Sequence, residues 1–124
     1  MDNKWHFLKN LKETDSLEIS AETTLEPDSL WFDGHFPGTP ILPGIAQLTF
    51  AFDAIQEHSK HKGRPVALSS ISRVRFRQFI KPGDTVQVTA VPEKEDPSLY
   101  KFRVTVGGQL ACSGSMKTAP VNSV

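Results

Sequence analysis

The chain has 124 residues, and 14 Lys and Arg balance 14 Asp and Glu for a formal net charge of zero, so no bulk electrostatic attraction to nucleic acid or to a membrane surface is implied. Its single cysteine, Cys112, cannot form an intrachain disulfide, which disfavours a secreted, stapled scaffold and fits a reducing cytoplasm. Hydrophobic residues make up 38%, a thin core for one domain over 1–124, and such chains often bury more surface by oligomerising.

The first residues, MDNKWHFLKNLKETDS, hold no signal-peptide core, and no run approaches the roughly 20 apolar residues of a membrane span. LEISAETTL (Leu17 to Leu25) alternates as a strand, with Ile19, Ala21 and Thr23 on one face, and EPDS then turns the chain. The spacing predicts one long helix from Ile45 to about Lys60. Ile45, Leu48, Phe52 and Ile55 form one apolar stripe, and Ala46, Phe50 and Ala54 a second. A helix apolar on several sides is expected to be buried on several sides. Pro43 and Gly44 mark its start; His58, Lys60, His61 and Lys62 suit the dipole at its end, where Gly63 can cap it. The rest reads as strands: VALSSISRVRFRQFI, DTVQVTAVPEKE, LYKFRVTVGG and QLACSGSMKTA, separated by a tight KPGD turn, a looser KEDPS turn and a Gly107-Gly108 hairpin turn. A strand or two, one buried helix and a meander of long strands make an α+β arrangement of one helix against a curved antiparallel sheet.

The densest local signal precedes the helix: GHFPGTPILPG, Gly34 to Gly44. Alone, a histidine before a proline-rich turn is often a loop residue bonded to a backbone carbonyl. Here Pro37, Pro40 and Pro43 restrict the chain, and Gly34, Gly38 and Gly44 permit close approaches. A stiff mount is useful where a side chain must be held. The first amides of the following helix lack partners and carry partial positive charge, so a carbonyl oxygen near Gly44 can be stabilised there. Histidine suits proton transfer at neutral pH. Base, mount and oxyanion donor together fit proton abstraction beside a thioester carbonyl.

GHFPGTPILPG resembles the signature of the hot-dog-fold 3-hydroxyacyl-acyl-carrier-protein dehydratases of the FabZ/FabA type. VRFRQFIKPGDTVQV looks like that family's strand–PGD–strand segment and GGQLACSGSMKTA like its last hairpin, so the resemblance covers about residues 15 to 119. It implies a long helix wrapped by a curved sheet, and a homodimer or dimer of dimers with sites at the dimer interface. The implied substrate is a 3-hydroxyacyl thioester on the phosphopantetheine of an acyl carrier protein, with no metal or redox cofactor. It places the base on His35 and the carbonyl-binding amide on Gly44 or its neighbour Ile45, with Phe36 beside the acyl chain. The family's general acid, Glu or Asp, stands fourteen positions after the histidine, on the helix of the partner subunit, a position that here is Thr49. Threonine cannot act as a general acid near neutral pH; it can orient a water or bond the substrate. Asp53 lies one turn further, about 5.4 Å along the axis. Asp33 is close in sequence but fits a turn cap, and Gln47 can bond but not protonate. The Pro-Gly-x-x-Gln pattern and the short chain are similar to ApeI-like thioester dehydratases. The competing readings are a non-catalytic or accessory acyl-binding subunit, or a thioesterase using the Thr49–Asp53 turn.

Arg73, Arg75 and Arg77 alternate with Val74 and Phe76, so on a regular strand they share one face. That is either an ordinary solvated face or a docking patch for an acidic carrier protein. Phe32, Phe50 and Phe52 are read as core, and Trp31 as packed or covering the pocket mouth. Cys112 reads as a packed small residue, and His6, His58 and His61 form no convincing metal set.

Overall fold

The computed structural model describes residues 8–14, 16–32 and 41–121. His35, Phe36 and Asp33, with the rest of the stiff segment to Pro40, lie outside the described residues, as does His6.

The elements run β1 (Lys9–Glu13), β2 (Ile19–Thr24), a 3₁₀ turn (Leu30–Phe32), α1 (Gly44–His61), β3 (Val66–Phe76), β4 (Thr85–Pro92), β5 (Leu99–Val106) and β6 (Gln109–Pro120). All strands pair antiparallel in one six-stranded sheet of order β1-β2-β4-β5-β6-β3. The expected strand at Leu17–Leu25 appears as β2, with Ile19, Ala21 and Thr23 all buried. β1 was not legible: KNLKE has one apolar residue and therefore no alternation to read.

The four strands after the helix do not form one continuous meander. Only β4, β5 and β6 are successive neighbours, while β3 lies at the far edge against β6. The reason is that both edges of β4 are occupied. The KPGD turn, with Gly83 at φ +90°, is tied to β2 by Gly83 N–H donating to Leu25 O (2.6 Å) and Leu25 N–H to Asp84 O (3.0 Å). The other edge of β4 takes β5, and the Gly107-Gly108 turn, both residues at positive φ, brings β6 onto β5. The free edge left for β3 is that of β6.

α1 packs on one face of this sheet, against β2, β3, β4 and β5. Val86, Val88 and Ala90 of β4, Phe102 and Val104 of β5, and Cys112 and Met116 of β6 meet Ala46, Phe50, Ala51, Ala54 and Ile55 of the helix, all buried. Replacing the fully buried Phe50 with Ala is expected to cost about 3–5 kcal/mol. The helix is not buried all round, as its apolar pattern suggested. Ile45 is 60% exposed, and Leu48, Thr49 and Phe52 are half-buried. Ile45, Leu48 and Phe52 make this stripe largely apolar, yet the described residues cover only part of it. At the C-terminus, Lys62 N–H bonds His58 O and Ser59 O, and Gly63 at φ +72° ends the helix as read from the sequence.

β3 is irregular. Register shifts fall between Leu68 and Ser70 and between Ser72 and Arg75, with Arg73 at φ +57°. The strict alternation that would put Arg73, Arg75 and Arg77 on one face is therefore broken at Arg73. Arg77 lies past the strand's end, its N–H donating to Ala111 O at 2.7 Å.

Candidate active site at the start of the helix

Pro43 is the N-cap of α1, in extended conformation (φ −64°, ψ 148°), and among the described residues no side-chain cap bond closes this end. Proline fixes the entry angle and brings no N–H of its own. Ala46 N–H turns back to Pro43 O at 3.0 Å. The amides of Gly44 and Ile45 thus carry the positive end of the helix dipole, with no acidic side chain in the first turn to neutralise it.

Beside these amides is a cavity of about 550 Å³ lined by Leu42, Gly44, Gln47, Phe76, Arg77, Gln78 and Phe79. Two backbone ties set its walls. Arg77 N–H and Gln78 N–H both reach Ala111 O, at 2.7 and 3.4 Å, holding the segment after β3 against β6. Leu42 N–H donates to Ile80 O at 2.8 Å, joining the helix entry to the same segment. The ring of Phe76 lies over the helix start, so that a Cβ placed on Gly44 would stand 2.9 Å from its Cζ. Phe76 is 52% and Phe79 71% exposed, an apolar mouth with Arg77 between them.

The predicted site residues separate into groups. Gly44 and Gln47 line the cavity, and Ile45 supplies its amide beside them while its side chain is exposed. Gln47 is 3% exposed, and its Oε1 is buried without a hydrogen-bond partner among the described residues. Thr49 lies two residues on, roughly 200° around the helix from Gln47. Its Oγ1 donates to Ile45 O at 2.8 Å, a bond within its own helix. Asp53 is half-buried one turn beyond Thr49 on that same side. Leu42, Phe76, Gln78 and Phe79 were missed as site residues. Their only sequence signal is membership of the segments flanking the motif and the PGD turn.

The arginines are placed differently from the sequence reading. Arg75 and Arg103 both pair with Ser113, from opposite sides. Directly opposed residues share a face, so these two exposed arginines have backbones roughly 10 Å apart across the sheet. Arg103, on a different strand, was not legible as part of this patch.

Elsewhere, Trp31 packs edge-on to Phe50 with ring centroids 6.3 Å apart, a core contact. Phe32 is buried and Phe52 packs against the core. Cys112 is fully buried, and its thiol is pushed up to about 11 by that burial, away from reactivity. His58 Nε2 lies 3.1 Å from Glu13 Oε1, tying the helix end to β1. Among the described residues no three His, Cys, Asp or Glu side chains gather as a metal set, and no helix is long and apolar enough to cross a membrane.

Comparison with known proteins places this arrangement. The family model described as ApeI dehydratase matches residues 10–115. A 3-hydroxyacyl-[acyl-carrier-protein] dehydratase FabZ from Chloroflexus aggregans is 33% identical over 103 residues, 77% of this chain and 71% of that protein. The FabZ of Rickettsia rickettsii is 35% identical over 101 residues, 75% of this chain and 67% of that one. Among solved structures, the dehydratase heterocomplex ApeI:P from Xenorhabdus doucetiae superposes with a TM-score of 0.73 at 26% identity, covering 92% of this chain and 97% of that one. The putative thioesterase yhdA from Lactococcus lactis gives 0.74 at 16% identity, covering 94% of each, which shows the fold alone. With one helix against a six-stranded antiparallel sheet, and a family match over most of its length, the chain belongs to the ApeI-like dehydratase family of the hot-dog fold.

Proposed function

We propose that the protein dehydrates 3-hydroxyacyl thioesters carried on acyl carrier protein to trans-2-enoyl thioesters. The observation that carries this reading is the start of α1, without a side-chain cap among the described residues, beside the cavity of Gly44 and Gln47, in a chain similar to FabZ dehydratases. The thioester oxygen would sit at the Gly44 and Ile45 amides, where charge developing on it is stabilised. His35, just upstream in the sequence, takes the C2 proton. The C2 electron pair forms the C2–C3 double bond as the C3–O bond breaks, and the leaving hydroxyl departs as water after receiving a proton. The proton taken from C2 and the proton given to the leaving hydroxyl balance, and the electron pair freed at C2 replaces the one that leaves with oxygen, so no redox step is involved.

We assign the proton donation to Asp53 rather than Thr49. Thr49 occupies the position that the family resemblance gives to an acid, and its hydroxyl proton is committed to Ile45 O. Asp53 is the next carboxyl group along that side of α1, which faces away from the Gln47 cavity of its own chain, so in the dimer read here it serves the site of the other subunit, as the family resemblance implies.

We further read the protein as a homodimer or dimer of dimers. Two features support this. The half-open apolar stripe of Ile45, Leu48 and Phe52 lacks a complete cover. Among the described residues the eleven-residue β3 leaves one edge unpaired and is mostly exposed. Arg75 and Arg103 are the docking groups we assign to the acidic carrier protein, with Arg73 and Arg77 flanking them.

The test is to approach equilibrium from both sides, starting from a 3-hydroxyacyl and from a trans-2-enoyl thioester on carrier protein. A dehydratase brings both to one mixture. Release of free acid from either would replace this reading with a thioesterase, and no conversion with tight binding would replace it with an accessory acyl-binding subunit.

A further inference from the structure

We propose that the carboxamide of Gln47 recognises the 3-hydroxyl of the substrate and thereby selects hydroxylated acyl chains over saturated ones. The inference rests on the dehydratase reading and deepens it. Gln47 is 3% exposed, and its side-chain oxygen is sealed from solvent with no hydrogen-bond partner among the described residues. Leaving a buried amide oxygen unpaired is unfavourable, and such a group is usually satisfied by protein, water or ligand. The neighbouring buried helix residues Ala46, Phe50 and Ala51 offer it no side-chain partner. The residue instead lines the cavity at the helix start.

The spacing fits a 3-hydroxyacyl group. Gln47 is three residues after Gly44, about 4.5 Å along the axis and on the adjacent side of the helix. The carbonyl oxygen and the 3-hydroxyl oxygen of such a thioester are roughly 3–5 Å apart by ordinary bond lengths. A carbonyl oxygen held at the Gly44 amide therefore brings the hydroxyl within reach of the Gln47 side chain. A hydroxyl both donates and accepts, as a carboxamide does, so the two match in either orientation of the amide. The cavity's other walls near this point, Leu42 and Phe76, are apolar and suit the acyl carbons. The enoyl product has no hydroxyl and cannot make this bond, so Gln47 also distinguishes substrate from product.

The experiment uses two non-reacting ligands, 3-hydroxybutyryl-pantetheine and butyryl-pantetheine with an amide in place of the thioester. Their dissociation constants are measured by calorimetry on the full-length protein and on Gln47→Met, which keeps length and removes the polar atoms. The wild type should bind the hydroxylated ligand about tenfold more tightly. Gln47→Met should bring the two to parity while holding the butyryl affinity. In the wild type, the side-chain amide resonance of Gln47 should move with the hydroxylated ligand and not with the other. That measurement stands even if Gln47→Met does not fold. Equal affinities in a wild type that turns over 3-hydroxyacyl thioesters, or a preference that survives Gln47→Met, would overturn the proposal and leave the dehydratase reading intact. Absence of turnover together with no binding of either ligand would sink both.

Discussion

The ring of Phe76 rests on the first residue of α1, so close that a Cβ on Gly44 would lie 2.9 Å from its Cζ. A glycine read from sequence as making room for a substrate oxygen is thus also making room for an aromatic ring thirty-two positions away. The two roles separate by mutation. Phe76 is half-exposed and can swing outward, so Gly44→Ala should change stability by less than about 1 kcal/mol. Turnover should nevertheless fall about tenfold or more, because the methyl group crowds the amide. Adding Phe76→Ala removes the clash with the ring. Turnover of that double variant should stay about tenfold below that of Phe76→Ala alone; parity between the two would make Gly44 a packing residue only.

Gly114 offers the opposite case. A Cβ there would meet two ring atoms of Phe102 at 2.9 Å and Ser72 O at 3.2 Å. Phe102 is 1% exposed and has no outlet. Gly114→Ala should therefore destabilise the fold by about 1–3 kcal/mol, read from urea unfolding, with turnover per folded molecule retained.

The proton donor can be assigned by rescue. Asp53→Asn should lower kcat about a hundredfold. Thr49→Val, which loses only a hydroxyl already bonded to Ile45 O, should leave kcat within about twofold. Thr49→Glu placed in the Asp53→Asn background should restore much of the loss. An unchanged kcat in Asp53→Asn would remove the assignment, and a large Thr49→Val defect would give Thr49 a part in orienting the substrate or a water.

Much of this was legible beforehand because apolar spacing dictates it. The helix over Gly44–His61, the buried face of β2 and the three turns follow from periodicity, Pro-Gly placement and Gly107-Gly108. The position of β3 was not, since it depends on which edges the other strands leave free. Nor was the arginine patch. Alternation assumes an unbroken pleat, and the shift between Ser72 and Arg75 is set by pairing with β6. Arg103 joins Arg75 only through a shared partner, Ser113. Gln47 was visible as a hydrogen-bonding residue, but its burial and its lack of a partner among the described residues are tertiary facts.

The arginine pair gives a separate prediction. Arg75→Glu with Arg103→Glu should raise KM for carrier-bound substrate about tenfold and leave a small-thiol thioester unaffected. Raising the salt concentration should narrow the wild type's advantage with the carrier. Equal losses on both substrates would remove the docking role.

Asp96 provides a stability test. Its carboxyl is held down to about 2, against an ordinary 3.8, first by the hydrogen bond from Lys117 Nζ and then by that from Ser98 Oγ. A depressed carboxylate contributes stability above its ordinary range and loses it as pH falls from about 4 to about 2. Asp96→Asn should therefore show a shallower drop in melting temperature across that window than the wild type. Parallel curves would mean that the pairing with Lys117 adds nothing in solution.

The central claim is water loss with His35 as the base. The most direct measurement is mass spectrometry of a 3-hydroxyacyl carrier protein incubated with the wild type and with His35→Ala, following the mass of one water. The account predicts conversion to the enoyl form by the wild type and loss of about a hundredfold or more in His35→Ala, with the fold retained. Equal conversion by both proteins would contradict it.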